Sequence, residues 1–453
     1  MDSLWLQTCQ LPEYPALSGD VHTDVLVIGG GITGLLCAYK LRREGINCVV
    51  AEAGQICGGV TGRTTAKVTA QHGLVYRRLA SQFGLEAAAQ YLYANLAAVD
   101  EYRKFSLGQG ANECLQSCSA FSYSQDNPGA LEAELEVLGR MSYGARFVQS
   151  PNLPFPTVGA VEFPNQAQIH PLQFLRPLLG ELQIYEHTLV RDWDGKTARC
   201  SNGTISAQWA IAATHFPIWN RSGLYFLKLF QERHAVLALG CPDGLNDSNR
   251  LDDLNGLDGM YVDGTGNGPS LRMADDLLLL GGAGQRTGKF TGWSDLEALA
   301  ARFYPDHPIS YRWATQDCMT LDALPYIGSY GANMPNLLVA TGFNGWGMTS
   351  AMVAARLLTD RVLEKANDLY ALFDPSRRIW RKQLALNALE SAAGLLTFRR
   401  PRCPHLGCAL RWNRSEHSWD CSCHGSRFGD NGALLDNPAQ APLSPSAKRS
   451  PPQ

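Results

Sequence analysis

Four cysteines and three histidines crowd into residues 403–428, CPHLGCALRWNRSEHSWDCSCHGSRF. Cys403-x-His405 is followed, after 15 residues, by Cys421-x-x-His424, with Cys408 and Cys423 beside them. Thiolate and imidazole donors in two short pairs can hold a metal once the loops that carry them face each other. These donors suit a tetrahedral Cys₂His₂ zinc site, and they also suit an iron–sulfur centre. His417, between the pairs, reads as a surface residue. The other nine cysteines are scattered. Apart from the isolated Cys114-x₃-Cys118 none has a metal-ligand spacing, and they read as reduced thiols.

A second chemistry lies near the start. DVLVIG (24–29) is a short apolar run, and Gly29-Gly30-Gly31-Ile32-Thr33-Gly34 follows it. Then come LLCAYKLRREG, with helical spacing, and NCVVAEA, ending near Glu52. Strand, glycine turn, helix, strand and acid make the βαβ dinucleotide pattern in its required context. Gly29 allows the tight turn, Gly31 lets backbone approach a pyrophosphate, and Gly34 lets helix and strand pack closely. The helix N-terminus offers free N–H groups to phosphate, and Glu52 stands where it can accept from a ribose. A late junction, NLLVATGFNGWGMTSAMVAARLLTDRVL (336–363), again runs an apolar strand into glycines (Gly342, Gly345, Gly347) and a long helix.

The elements around these motifs belong to a chain of 453 residues, 45% hydrophobic, with formal charge −3. That length allows two or three domains. Near-neutral charge argues against a nucleic-acid binder, and no apolar run approaches the roughly 18 residues of a membrane span. The opening MDSLWLQTCQLPEYP lacks the features of a signal peptide, so a cytoplasmic protein is expected. DLLLLGGAG (276–284) and AQWAIAAT (207–214) read as buried strands, and PLQFLRPLLGEL (171–182) as a helix opened by Pro171. From Asp360 to Leu396 the pattern is helical and increasingly basic. From Thr397 onward the charge is about +4, with eight Lys and Arg against four Asp and Glu. SPSAKRSPPQ has the composition of a disordered tail.

The DVLVIGGGITGL opening, the acid in VVAEA, TGRTTAKVT, and the late PYIG…VATGFNGWGMT resemble the D-amino-acid-oxidase and glycine-oxidase family of FAD enzymes over roughly residues 20–365. The resemblance implies a mixed α/β (α+β) fold. A Rossmann-like FAD-binding domain would come from about 20–80, 185–220 and 320–365. An interleaved β-rich substrate domain would come mainly from 90–180 and 222–318. It also implies FAD contacts at Gly29, Gly31, Gly34, Glu52, Thr64, Thr65, Gly342, Phe343, Gly347 and Met348. The late helix would point its N-terminus at the isoalloxazine, where reduction places negative charge. Nicotinamide is the alternative that the first motif alone leaves open.

The cysteine–histidine segment resembles a Rieske 2Fe–2S site, with Cys403 and Cys421 on one iron and His405 and His424 on the other. That resemblance implies a Cys408–Cys423 disulfide, a Ser426 hydroxyl near the cluster, and a proline loop at NPAQAPL (437–443). Phe428 replaces a tyrosine donor, which implies a potential below the top of the range of about −150 to +300 mV. The division expected is an oxidoreductase over 1–365, a helical linker over 366–396, a Rieske-like β segment over 397–443, and a tail over 444–453. Few residues precede Cys403, so the scaffold is shortened.

The function expected is oxidation of a small amine or amino acid by hydride transfer to flavin, with electrons passing through the 2Fe–2S centre to a one-electron acceptor protein. An oxygen-using oxidase with a vestigial Rieske segment and a non-enzymatic redox sensor are the alternatives. His170, Arg286 and Asp317 are the candidate substrate-pocket residues. In the glycine-oxidase pattern ending T-x-D-x-x-P-Y-I-G, an arginine three residues before the threonine clamps the substrate carboxylate. Here that position is Asp317, which suits an ammonium unless Arg312 or Arg286 pairs with it.

Overall fold

The computed structural model describes residues 3–108, 114–219, 222–241, 257–266, 268–334, 336–378 and 400–444, together with 384, 387, 389, 390, 394, 395 and 397. Val25–Ile28 and Cys48–Ala51 are apolar at every position and buried at every position, as strands covered on both faces must be. They lie at the centre of a six-stranded sheet in the order Tyr326–Ser329, Leu337–Thr341, Trp209–Ala212, Val25–Ile28, Cys48–Ala51, Gln183–Tyr185. Neighbours are parallel except for the first pair. The helices that follow the two glycine turns, Ile32–Arg43 and Gly347–Val362, pack against each other. Both glycine turns are thus brought to the same end of the sheet.

The second large sheet has nine strands. Eight run in the order Ile309–Thr320, Leu229–Leu239, Leu277–Arg286, Ser270–Ala274, Met260–Asp263, Leu115–Ser124, Gly159–Ile169, Lys67–Val68, and Arg146–Val148 also pairs with Gly159–Ile169. Lys67–Val68 comes from the segment just after the dinucleotide turn, so the two sheets are stitched together there. A small sheet of Val21–His22, Gly203–Ser206, Thr197–Cys200 and Val190–Trp193 completes the first module. The helix expected at 171–182 runs Pro171–Leu179.

Beyond the long helix the expected continuous helical linker is interrupted. Glu364 takes a left-handed φ of 55°, and only Tyr370–Phe373 is helical before Pro375, which cannot continue a helix interior. Arg377 then grips Asp322 with two hydrogen bonds of 2.7 and 2.8 Å and stands 3.9 Å over the Tyr326 ring. The rest of the linker and the tail lie largely outside the described residues. The C-terminal segment is a four-stranded antiparallel ladder: Leu410–Asn413, Ser418–Cys421, Arg427–Gly429 and Leu434–Asp436. Among the described residues no helix is long and apolar enough to cross a membrane.

Lys67 is buried at the stitch, its ammonium on Thr65 Oγ1 and Ser270 Oγ, both at 3.2 Å. Burial, helped by the nearby Arg272 charge, pushes it down to about 7. The folded chain therefore releases this proton near pH 7, whereas the unfolded chain keeps it to about 10. The destabilisation is full below pH 7 and fades as pH rises. Lys67→Met should raise the midpoint of thermal unfolding at about pH 7, and the gain should shrink towards about pH 10.

Candidate active site and metal centre

At the first glycine turn, Gly29 has φ 108°, and a Cβ there would lie 2.5 Å from the Ala213 carbonyl oxygen. A Cβ on Gly34 would lie 1.9 Å from the Gly29 carbonyl oxygen. Gly31 is the N-cap of its helix and offers no side-chain hydrogen bond, while Ile32 N–H donates to Thr61 Oγ1 at 2.9 Å. The turn is a narrow cradle at an open helix N-terminus, which suits phosphate. Glu52 follows the strand Cys48–Ala51 and accepts from Gly30 N–H at 2.7 Å and Gly54 N–H at 2.8 Å. Burial raises its carboxyl, and those two N–H groups oppose the rise. Gly30 and Thr61, both passed over in the sequence, help to shape the turn.

The late turn has the same character. Gly342 and Gly345 have φ of 72° and 83°, and a Cβ on Gly342 would meet Thr320 Cγ2 at 2.3 Å. Asn344 Oδ1 accepts from Thr320 N–H at 2.7 Å, and no side chain caps the helix that Gly347 opens. His72 stacks on Trp346 at 4.7 Å, tying segment 64–72 to this turn. Thr64 Oγ1 accepts from Ala66 N–H at 3.0 Å, and Thr65 holds Lys67. Phe343 is half-buried, and Met348 is buried with its carbonyl taken by the Tyr102 hydroxyl at 2.9 Å. The residues proposed from the sequence for one extended cofactor thus converge from both turns.

The two metal-ligand loops are closed alike. Cys403 N–H donates to Cys408 O and Gly407 N–H to Cys403 O; Cys421 N–H donates to Ser426 O and Gly425 N–H to Cys421 O, all at 2.9 Å. Gly407 and Gly425 supply the positive φ, 78° and 90°, that each reversal needs. The loops bring the His405 and His424 rings to 4.9 Å. All four ring nitrogens are buried without a hydrogen-bond partner. Left so, each would cost about 1–3 kcal/mol, a cost that a bound metal centre would remove. Cys403 and Cys421 share a hydrogen bond that pushes Cys403 up and Cys421 down. The thiols of Cys408, Cys421 and Cys423 lie within 4.8 Å of one another. Cys408 and Cys423, the pair expected from the sequence to form a disulfide, thus lie adjacent. Ser426 Oγ accepts from Ala439 N–H of the proline loop at 3.0 Å.

The shortened scaffold is propped from outside. Arg286 donates to the carbonyls of Ser422 at 2.7 Å and Cys423 at 3.1 Å. Gln231 donates to His424 O at 2.7 Å, and Gln316 to Gly425 O at 2.9 Å. Arg233 binds Glu416 with both carboxylate oxygens. Phe216 meets the His405 and His424 rings edge-on at 6.3 and 6.4 Å.

Two of the candidate pocket residues have other work. Arg286 belongs to this docking surface. His170 caps its helix, accepting from Gln173 N–H at 3.3 Å, and meets Thr8 Oγ1 at 3.0 Å; burial pushes its imidazole down to about 4. Asp317 does lie at the late turn, with Oδ2 4.0 Å from where a Cβ on Gly345 would sit. Neither suggested arginine holds it, since Arg312 pairs with Glu297 at 3.0 Å. Its ionic neighbour is His234, at 3.7 Å, a residue passed over in the sequence.

The model of the DAO family, FAD dependent oxidoreductases, matches residues 24–361, and that of the Rieske [2Fe-2S] domain matches residues 368–447. The chain therefore belongs to the DAO family of FAD-dependent oxidoreductases and carries a C-terminal Rieske domain. FAD and a 2Fe–2S cluster are its cofactors. It is 32% identical to the putative Rieske 2Fe-2S iron-sulfur protein YhfW of Bacillus subtilis, across 98% of this chain and 97% of that one. Glycine oxidase of Bacillus subtilis is 25% identical across 76% of this chain and 94% of its own. The fold is also similar to that of L-proline dehydrogenase from P. horikoshii, with TM-score 0.64 and 15% identity, covering 80% of this chain and 98% of that one.

Gly34→Ala forces a methyl group into the Gly29 carbonyl. The purified variant should lack the flavin absorption bands and unfold at lower temperature, while keeping its iron.

Proposed function

We propose that this enzyme oxidises the C–N bond of a small cationic amine at its flavin and passes the electrons singly to its own 2Fe–2S centre. From there they go to a one-electron acceptor protein, which the basic C-terminal segment suits if that carrier is acidic. The docking of the ligand loops carries the electron route. The loop after strand Trp209–Ala212 touches Gly29 at one end and presents Phe216 to both cluster histidines at the other. In this reading FAD lies along Gly29, Gly31, Gly34, Glu52, Thr64, Thr65, Gly342, Phe343, Gly347 and Met348. The cluster is held by Cys403, His405, Cys421 and His424, with Cys408 and Cys423 able to bridge on oxidation. Glycine oxidase and L-proline dehydrogenase, by their names, act on amino acids, which supports a C–N substrate.

Anaerobic substrate should bleach the flavin first and then raise the reduced-cluster paramagnetic resonance signal. His405→Ala or His424→Cys should abolish that signal while flavin reduction persists. An intact, iron-loaded sample whose cluster stays oxidised would rule out the route and leave an oxygen-using oxidase.

Asp317 supports the cationic substrate, because a carboxylate facing it would meet a repulsion of several kcal/mol. In an anaerobic bleaching panel, cationic amines should outrun glycine and D-alanine. Faster bleaching by either amino acid would remove the amine from the proposal.

A further inference from the structure

We propose that His234 accepts the proton of the substrate ammonium at this site, an inference that rests on the amine reading above. Strands Leu229–Leu239 and Ile309–Thr320 run antiparallel, with His234 opposite Thr315 and Glu232 opposite Asp317. Opposed residues in such a pair share a face, as do residues two apart. These four side chains therefore form one polar patch beside the late glycine turn. His234 Nε2 and Thr315 Oγ1 are both buried there without a hydrogen-bond partner. Gly284 makes room for the imidazole, since a Cβ at that position would lie 2.5 Å from its Cε1.

His234 Nε2 and Asp317 Oδ2 are 3.7 Å apart, too far for a hydrogen bond between them. A nitrogen about 2.8 Å from each closes a triangle on that base. An alkylammonium has three N–H donors, and the patch offers three groups to meet them: the Asp317 carboxylate, the His234 Nε2 lone pair and Thr315 Oγ1.

The chemistry requires a proton acceptor. An ammonium has no lone pair, so its α-carbon cannot lose a hydride. Transfer of one N–H proton to His234 Nε2 frees the pair. FAD, when bound, would supply the two-electron acceptor for the C–H hydride, and the nitrogen pair would form C=N. The iminium leaves, and the imidazolium stays beside Asp317. The charged groups around His234 are Asp317 and Glu232, with Arg286 acting on Glu232 and buried His215 near Asp317. Arg286 is drawn away by the Ser422 and Cys423 carbonyls.

The test uses the holoenzyme under anaerobic conditions with the best amine of the panel, and tert-butylamine as a probe that has no α-hydrogen. His234→Gln should leave tert-butylamine affinity, read by the flavin band shift, within about twofold, because the Gln amide oxygen can still accept from the ammonium but cannot take its proton. Flavin reduction should fall about 10²-fold near neutrality and recover as pH rises and free amine replaces ammonium. His234→Asn should behave the same way. Asp317→Asn should instead weaken tert-butylamine about tenfold or more. Unchanged reduction in His234→Gln overturns the inference alone, as does an equal loss at every pH. Loss of flavin from both His234 variants assigns the residue a structural role and also overturns it. A wild-type flavin that no amine bleaches overturns both this inference and the amine reading.

Discussion

Four consecutive backbone carbonyls, those of Ser422, Cys423, His424 and Gly425, accept hydrogen bonds from Arg286, Gln231 and Gln316 of the nine-stranded sheet. This constraint does for the second ligand loop what additional strands would do in a longer scaffold. Peptide carbonyls turned away from their own ladder need donors, and an unmet buried one costs about 1–3 kcal/mol. Gln231 and Gln316 are also bonded to each other at 2.8 Å, so the donors are held before the loop arrives. The cluster loops and the flavoprotein sheet therefore share one polar network, and neither is satisfied without the other.

The same network explains the charge distribution around it. Arg427 lies inside the C-terminal ladder, bonded to Asp420 and Asp436 at 3.0 Å and close to Glu416, which also receives Arg233 from the sheet. A single buried cation among three carboxylates would leave excess negative charge, and Arg233 halves it from across the boundary. Against the pull of burial, the surrounding carboxylates hold Arg427 above its ordinary value, and Arg427 and Arg233 hold Asp436 below its own. The docked arrangement thus sets two cations among the three carboxylates in place of one.

Much of this architecture was legible in the sequence because its signals are local. The glycine turns, the apolar strands and the Cys-x-His and Cys-x-x-His pairs each need only a short window, and the structure brings each group together. The docking surface and His234 were not legible, because their meaning depends on partners far along the chain. Gln231 and His424 are nearly two hundred residues apart in sequence. A signal was nevertheless present in LFQERHAVLAL, where four polar residues in a row interrupt an otherwise buried strand. Such a run has to be matched by something polar on both faces. His170 misled for the opposite reason. A histidine before Pro171 looks poised for chemistry, yet at a helix start it serves as the acceptor that the first free N–H groups require.

The grip of Arg377 on Asp322 has a consequence for reach. It anchors the chain about 25 residues before Cys403, so the iron–sulfur segment stays within a bounded radius of its seat whatever path those residues take. A tether of that length sets an effective local concentration in about the millimolar range. A free carrier competing for the same seat would have to exceed that concentration merely to draw level. The fusion therefore makes the partnership insensitive to how much of either component a cell makes, an advantage that two separate chains meeting by diffusion could gain only through far tighter binding.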